Sequence, residues 1–325
     1  MLLSIGAIIV GLVILVWSAD KFVDGAASVA KHLGVPSLLI GMVIIGFGTS
    51  APEMVVSAIA ALEGNPNLAL GNAFGSNIAN IALILGVTAM LAPIAVHSRI
   101  IKKELPLLVV ITLIVGFMLL NGVISQTEGL LLLTGFVAVI LWQVYTAIKD
   151  KKDPLADETT EELDEIDMSL KEGWIWLFAG IILLILSSKL LVFGAVDIAK
   201  SLGVSDLVIG LTIVAVGTSL PELAAAITAV RKNEHDLAIG NVIGSNMFNI
   251  LLVIGVGATI TPMSGFPPEA LERDFVVMLG LTIALFVMAY GFNGEQGHVN
   301  KMEGILLILT FVTYITIIVL SSIPN

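Results

Sequence analysis

Cysteine is absent from all 325 residues, which excludes disulfide frameworks, thiol nucleophiles and Cys-ligated zinc or iron–sulfur centres. Charge is scarce: Asp, Glu, Lys and Arg make up 13% of the chain, about half the share of a soluble globular protein. Lys and Arg total 15 against 26 Asp and Glu, so a basic footprint for nucleic acid is missing. There is no HExxH zinc motif, no G-x-S-x-G elbow and no Walker-type phosphate loop, which leaves hydrolase and ATPase chemistry without support. No cofactor is expected. The N-terminal stretch MLLSIGAIIVGLVILVWSADKF lacks the basic start and small-residue cleavage site of a secretory signal, and reads as a retained first span.

What the chain has instead is apolar length. Hydrophobic residues make up 57% of it and the mean hydropathy is +1.04. Apolar blocks long enough to cross a hydrocarbon core recur from end to end. The expected spans are 3–29, 36–62, 67–92, 104–121, 128–148, 173–199, 205–230, 236–262, 274–292 and 302–322. The expected fold class is therefore an all-α polytopic membrane protein with ten transmembrane helices, bounded by lipid.

The two halves read as copies. Residues 46–94 align without a gap onto 215–263 at a constant offset of 169, with 20 identities in 49 positions. The organisation expected is a five-helix repeat at 1–148, an acidic linker at 149–172 and a second five-helix repeat at 173–325. Five crossings per repeat start the second copy on the opposite side, so the repeats are inverted, an architecture of secondary transporters. With the N-terminus outside, the cytoplasmic connections hold eleven Lys and Arg side chains and the outer ones two. That bias puts both termini outside and the linker in the cytoplasm of a bacterial-type inner (plasma) membrane. The linker region 150–172 carries ten of the 26 acidic side chains. It has no EF-hand spacing and reads as a solvated loop.

Chemistry concentrates in two paired motifs. "GFGTSAPE" (46–53) and "AVGTSLPE" (215–222) place a proline and a glutamate inside apolar runs. Pro52 and Pro221 each remove a backbone N–H and loosen the carbonyls near Gly48 and Gly217. Bare carbonyls at membrane depth are tolerated only against protein, water or an ion. Thr49 and Glu53, and Thr218 and Glu222, stand four apart on one helix face, with Ser50 and Ser219 one step round the turn. "GNAFGSNIANI" (71–81) and "GNVIGSNMFNI" (240–250) add Ser76 with Asn80 and Ser245 with Asn249, again at i,i+4. Carboxylates, amides, hydroxyls and carbonyls suit Ca²⁺ or Na⁺; without cysteine or motif histidines they do not suit zinc or copper. A membrane-buried carboxylate is by default functional. The serines and asparagines alone could be interhelical packing. Asp20, Lys21, Asp24 and Lys189 read as interfacial or paired side chains.

"GTSAPE" and "GTSLPE", each followed by "GNxxGSN", resemble the α-repeats of the sodium/calcium exchanger branch of the cation/calcium antiporter superfamily. The resemblance implies ions bound between helices 2, 3, 7 and 8, with helices 1 and 6 sliding to alternate access. It implies Glu53 and Glu222 as shared anionic ligands, and neutral oxygens from Thr49, Thr218 and the carbonyls of Gly46 and Ala215. Ser50, Ser76, Asn80, Ser219, Ser245 and Asn249 would complete the sodium sites. Some members carry aspartate where this chain has Asn249, which caps the bare site at −2: one Ca²⁺ or two Na⁺ neutralise it. The implied function is Ca²⁺/Na⁺ antiport, with a monomer sufficient for transport. Ca²⁺/H⁺ exchange, a cation channel and an intramembrane hydrolase built on the two glutamates are the alternatives.

Overall fold

The computed structural model describes residues 1–35, 46–149, 154–165, 167–291 and 297–322. The first ten residues of the expected 36–62 span lie outside these. In chain order the helices are α1 Leu2–His32, α2 Gly46–Thr49, α3 Ala51–Leu62, α4 Pro66–Leu91, α5 Arg99–Leu119 and α6 Gln126–Lys149. Then follow α7 Pro154–Glu165, α8 Leu170–Leu202, α9 Asp206–Thr218, α10 Leu220–Arg231, α11 His235–Ile260, α12 Ala270–Tyr290 and α13 Lys301–Ser322. Seven of these are long and apolar enough to cross a membrane, and the pair α9 and α10, bent by 41° at its break, makes an eighth. The ten expected spans exceed that count for two reasons. The 36–62 span is described only in part, and α5 opens with Arg99, Lys102, Lys103 and Glu104.

Burial sorts the helices. The apolar stretch of α11 is 94% buried inside the protein and that of α4 is 78% buried, against 39% for α1, 33% for α8 and 22% for α13. α4 and α11 therefore form the centre, and the others turn apolar faces such as Val13, Phe178 and Leu309 outward. Outward apolar residues are what a bilayer solvates.

α1 and α8 lie side by side and antiparallel. Gly11 fits against the backbone of Ser187 and Leu191, and Gly25 against that of Gly173 and Leu177. Small residues let helix backbones approach where lipid supplies no hydrophobic drive. Ser4 Oγ donates to the Asp197 carboxylate at one end of the pair. Trp17 and Trp176 meet edge to face at 5.7 Å nearer the middle.

Two short ribbons stitch the halves. β1 Ile94–Val96 pairs antiparallel with β4 Gly297–Val299, Ala95 opposite His298, and β2 Val123–Ile124 with β3 Met263–Ser264, Ile124 opposite Met263. β1 precedes α5 and β2 follows it, so the ribbons sit at opposite ends of that helix. Left-handed backbone recurs at the sequence offset: Gly34 and Gly203, Gly64 and Asn233, Gly122 and Gly291 all have φ between 65° and 80°. Asn233 takes the conformation that glycine takes at 64, a role asparagine tolerates better than most side chains.

The acidic linker differs from the expected loop. Residues 154–165 form α7, which docks on the bundle: Leu163 is buried against Ala27 and Ala30 of α1. Lys31 Nζ donates to the Leu163 carbonyl at 2.9 Å and to Asp164 Oδ1 at 3.0 Å. At the other end of α7, Glu158 accepts from the Leu237 N–H at 2.6 Å, capping the start of α11. An N-terminal helix end favours a carboxylate there.

Candidate ion-binding site

The two breaks are made in the same way. Ser50 (φ −84°, ψ 3°) separates α2 from α3, and Ser219 (φ −85°, ψ 7°) separates α9 from α10. Pro52 and Pro221 do not kink a helix interior as the sequence suggests. Each sits in the first turn of the helix after its break, where a missing N–H costs no hydrogen bond. Glu53 and Glu222 follow at once, in the first turn of α3 and α10. α1 covers both breaks: Val23 fills the space beside Gly48, and Leu12 that beside Gly217.

Both carboxylates are fully buried. Glu53 is faced by Ser76 of its own half and by Thr218 and Ser219 of the other. Ser219 Oγ donates to Glu53 Oε1 at 3.3 Å. Glu222 is faced by Ser245 of its own half, by Ser50 of the other, and by Glu53 itself. Thr49 Oγ1 lies 3.4 Å from Ser245 Oγ and donates to Asn241 Oδ1 at 3.1 Å. Thr218 Oγ1 donates to Asn72 Oδ1 at 3.2 Å. The structure thus brings together Glu53, Glu222, Thr49, Thr218, Ser50, Ser219, Ser76 and Ser245.

The remaining expected ligands are placed differently. Asn80 Nδ2 donates to Asn246 Oδ1 at 3.0 Å, so its amide tethers α4 to α11. Asn249 is buried and opens a π-helical turn, Asn249–Val253. Asn80 sits in the matching turn, Ala79–Leu85, and such turns are frequent at functional sites. Gly46 begins α2. The Ala215 carbonyl accepts from the Ser219 N–H at 3.1 Å and from Thr218 Oγ1 at 3.3 Å, so it remains within its helix ladder.

Four asparagines of the same motifs were missed by the sequence reading. Asn72 Nδ2 donates to the Glu53 main-chain carbonyl at 3.2 Å and to Ser57 Oγ at 3.0 Å, while its Oδ1 receives Thr218. Asn241, 169 residues on, receives Thr49. Asn77 and Asn246 each donate to the other's main-chain carbonyl, at 3.4 and 3.5 Å. The signal was present: Asn72 stands four before Ser76 and Asn241 four before Ser245, the same spacing that singled out the other pairs.

The donor set indicates the chemistry. Among the described residues, Glu53 Oε2, both Glu222 carboxylate oxygens, Ser50 Oγ, Ser76 Oγ, Asn80 Oδ1 and Asn249 Oδ1 are buried without a hydrogen-bond partner. Buried unsatisfied oxygens are rare in proteins and costly. No cluster of three or more His, Cys, Asp or Glu able to hold a metal occurs among the described residues. Any ion at Glu53 and Glu222 must complete its shell with neutral oxygens, as hard cations do.

A buried carboxylate pair ringed by hydroxyls, inside a bundle of apolar helices, defines a membrane protein that handles cations. The chain matches the sodium/calcium exchanger protein family over residues 3–149 and 172–320 and belongs to that family. It is 47% identical over 315 residues to the "Putative antiporter CaxA" of Alkalimonas amylolytica, covering 97% of this chain and 98% of that one. It is 38% identical over 320 residues to the inner membrane protein YrbG of Escherichia coli strain K12, covering 98% and 97%. A solved structure of the sodium-calcium exchanger NCX_Mj, soaked with Na⁺ and Sr²⁺, superposes with a TM-score of 0.67 at 29% identity, covering 97% and 98%.

Proposed function

We propose that this protein exchanges Ca²⁺ for Na⁺ by alternating access, with both ions taking turns at Glu53 and Glu222. The observation that carries the reading is the interleaving of the halves: each buried glutamate is faced by hydroxyls from the opposite half as well as its own. One divalent ion bridging the pair cancels a charge of −2, and so do two Na⁺. Neutralisation is what lets the surrounding helices move, because dragging bare charge past an apolar wall is costly. The ligands in this reading are the two carboxylates, the hydroxyls of Thr49, Thr218, Ser50, Ser219, Ser76 and Ser245, and the carbonyl of Gly46, with that of Ala215 joining once it is released from its helix ladder. The amides of Asn80 and Asn249 join once their helices shift.

The architecture in this reading is ten spans in two inverted repeats, 1–148 and 173–325, joined by the linker 149–172. Recurrence of the breaks, π-turns and left-handed residues at one offset supports it. Lys and Arg asymmetry supports external termini and a cytoplasmic linker in a bacterial-type inner membrane. A second reading, Ca²⁺/H⁺ exchange, keeps the site and draws on the adjacency of two carboxylates, between which a proton is readily held.

The test is ⁴⁵Ca²⁺ flux in proteoliposomes with Na⁺, K⁺ and H⁺ gradients imposed one at a time. Na⁺-driven flux at zero ΔpH is the expected result. Flux driven by ΔpH alone selects the second reading, and flux indifferent to any counter-ion overturns antiport.

A further inference from the structure

A cavity of about 360 Å³ lies between α1 and α10, and its lining includes Thr49 and Pro221, close in sequence to the two glutamates. Thr49 and Pro221, at the two helix breaks, wall its inner end, and Lys232 and Glu234 its outer end. From Pro221 to Lys232 it follows about 16 Å of helix. The outer end lies on the face where α7 caps α11 and binds Lys31, that is, on the linker side.

α1 lines this cavity with Asp20, Lys21 and Asp24. Lys21 Nζ meets Asp24 Oδ2 at 3.1 Å, so that acid is neutralised. Asp20 has no hydrogen bond or ion pair among the described residues and is exposed into the cavity. It stands twelve residues before His32, the end of α1, hence about 18 Å inward along the helix. An uncompensated carboxylate at such depth is expensive against lipid and tolerable only beside water or a cation. With Lys232 and Glu234 at the mouth, the lining holds three acids and two bases, a formal net charge of −1 to which Asp20 contributes from within.

We propose that this cavity is the aqueous route by which cations reach the Glu53–Glu222 pair from the linker side, and that Asp20 gives the route its preference for cations. The proposal rests on the ion-exchange reading for its purpose but not for its test. Low-dielectric walls focus the field of a single charge and raise the local concentration of counter-ions.

Because the chain has no cysteine, one introduced thiol reports on the route directly. Ala225→Cys, or Thr228→Cys should the first fail to fold by gel filtration, puts that thiol on the cavity wall. In sealed vesicles of each orientation, cationic and anionic methanethiosulfonate reagents are compared by modification rate. The expected result is labelling from the linker side, with the cationic reagent favoured several-fold over its ratio on a free thiol. Asp20→Asn brings that preference down to the free-thiol ratio. Labelling only from the opposite face, no labelling of folded protein, or a preference untouched by Asp20→Asn overturns the proposal. In parallel ⁴⁵Ca²⁺ flux, Asp20→Asn is expected to raise the KM for Ca²⁺ several-fold on the linker side alone. Labelling needs no transport, so a protein that labels as expected but never exchanges Ca²⁺ defeats the functional reading and leaves the route standing.

Discussion

The role proposed for Glu53 and Glu222 rests on what stands opposite them rather than on their own segments. Replacing either with Gln removes one charge at nearly constant shape, and each variant is expected to abolish Ca²⁺ flux while eluting as folded protein. Retained exchange in both would remove the site. Asn72 offers a subtler check, since it holds the Glu53 carbonyl, Ser57 and Thr218 at once. Asn72→Ala strands buried partners and is expected to lower stability by about 1–3 kcal/mol, read by thermal unfolding, and to raise the KM for Ca²⁺. At this scale the sequence was informative about carboxylates and hydroxyls because their types and spacing carry the chemistry. Asn72 and Thr218 are 146 residues apart, and local spacing does not reveal such a partner.

Elements meet at the centre through missing side chains. A Cβ at Gly75 of α4 would run into Ala215 and the backbone of Leu211 on α9. Gly75→Val is therefore expected to overpack the α4–α9 contact by at least about 1–3 kcal/mol and to lower the unfolding temperature in detergent. Gly280→Ala, where an added Cβ meets nothing within 4 Å, serves as the near-neutral control. An equal effect of both substitutions would show that the close approach is not what matters. The helices themselves were readable from apolar length, but the form of the breaks was not. Proline in an apolar run signals a kink, whereas the chain turns two residues earlier, at Ser50 and Ser219, and places the proline in a first turn. The π-turns at Asn80 and Asn249 have no propensity signature and come from packing.

At the scale of the whole molecule, α7 joins α1 to the start of α11 and so ties a peripheral helix to the buried centre. Its acidic composition reads as solvated, and Leu163, an apolar anchor among its described side chains, finds its partners on α1, which local periodicity does not register. Burial, with Asp236 and Glu234 nearby, pushes the Glu158 carboxyl up to about 7, against the opposing pull of the Leu237 and Asp236 N–H groups. A carboxyl raised by docking favours the docked state fully below its free value of 4.5, and that contribution is lost as pH rises through about 7. Amide hydrogen exchange across 154–165, corrected for intrinsic rates, is expected to be slower at pH 6 than at pH 8. Glu158→Gln should flatten the difference, and a pH dependence unchanged in that variant would discharge Glu158 from the role.

One measurement addresses the shared ion itself. Crystals grown with Ca²⁺ and recorded at long wavelength give an anomalous difference map in which calcium stands out. The account predicts a strong peak within about 2.3–2.6 Å of carboxylate oxygens from both Glu53 and Glu222. A peak bound by one glutamate alone, or lying elsewhere in the bundle, would contradict it.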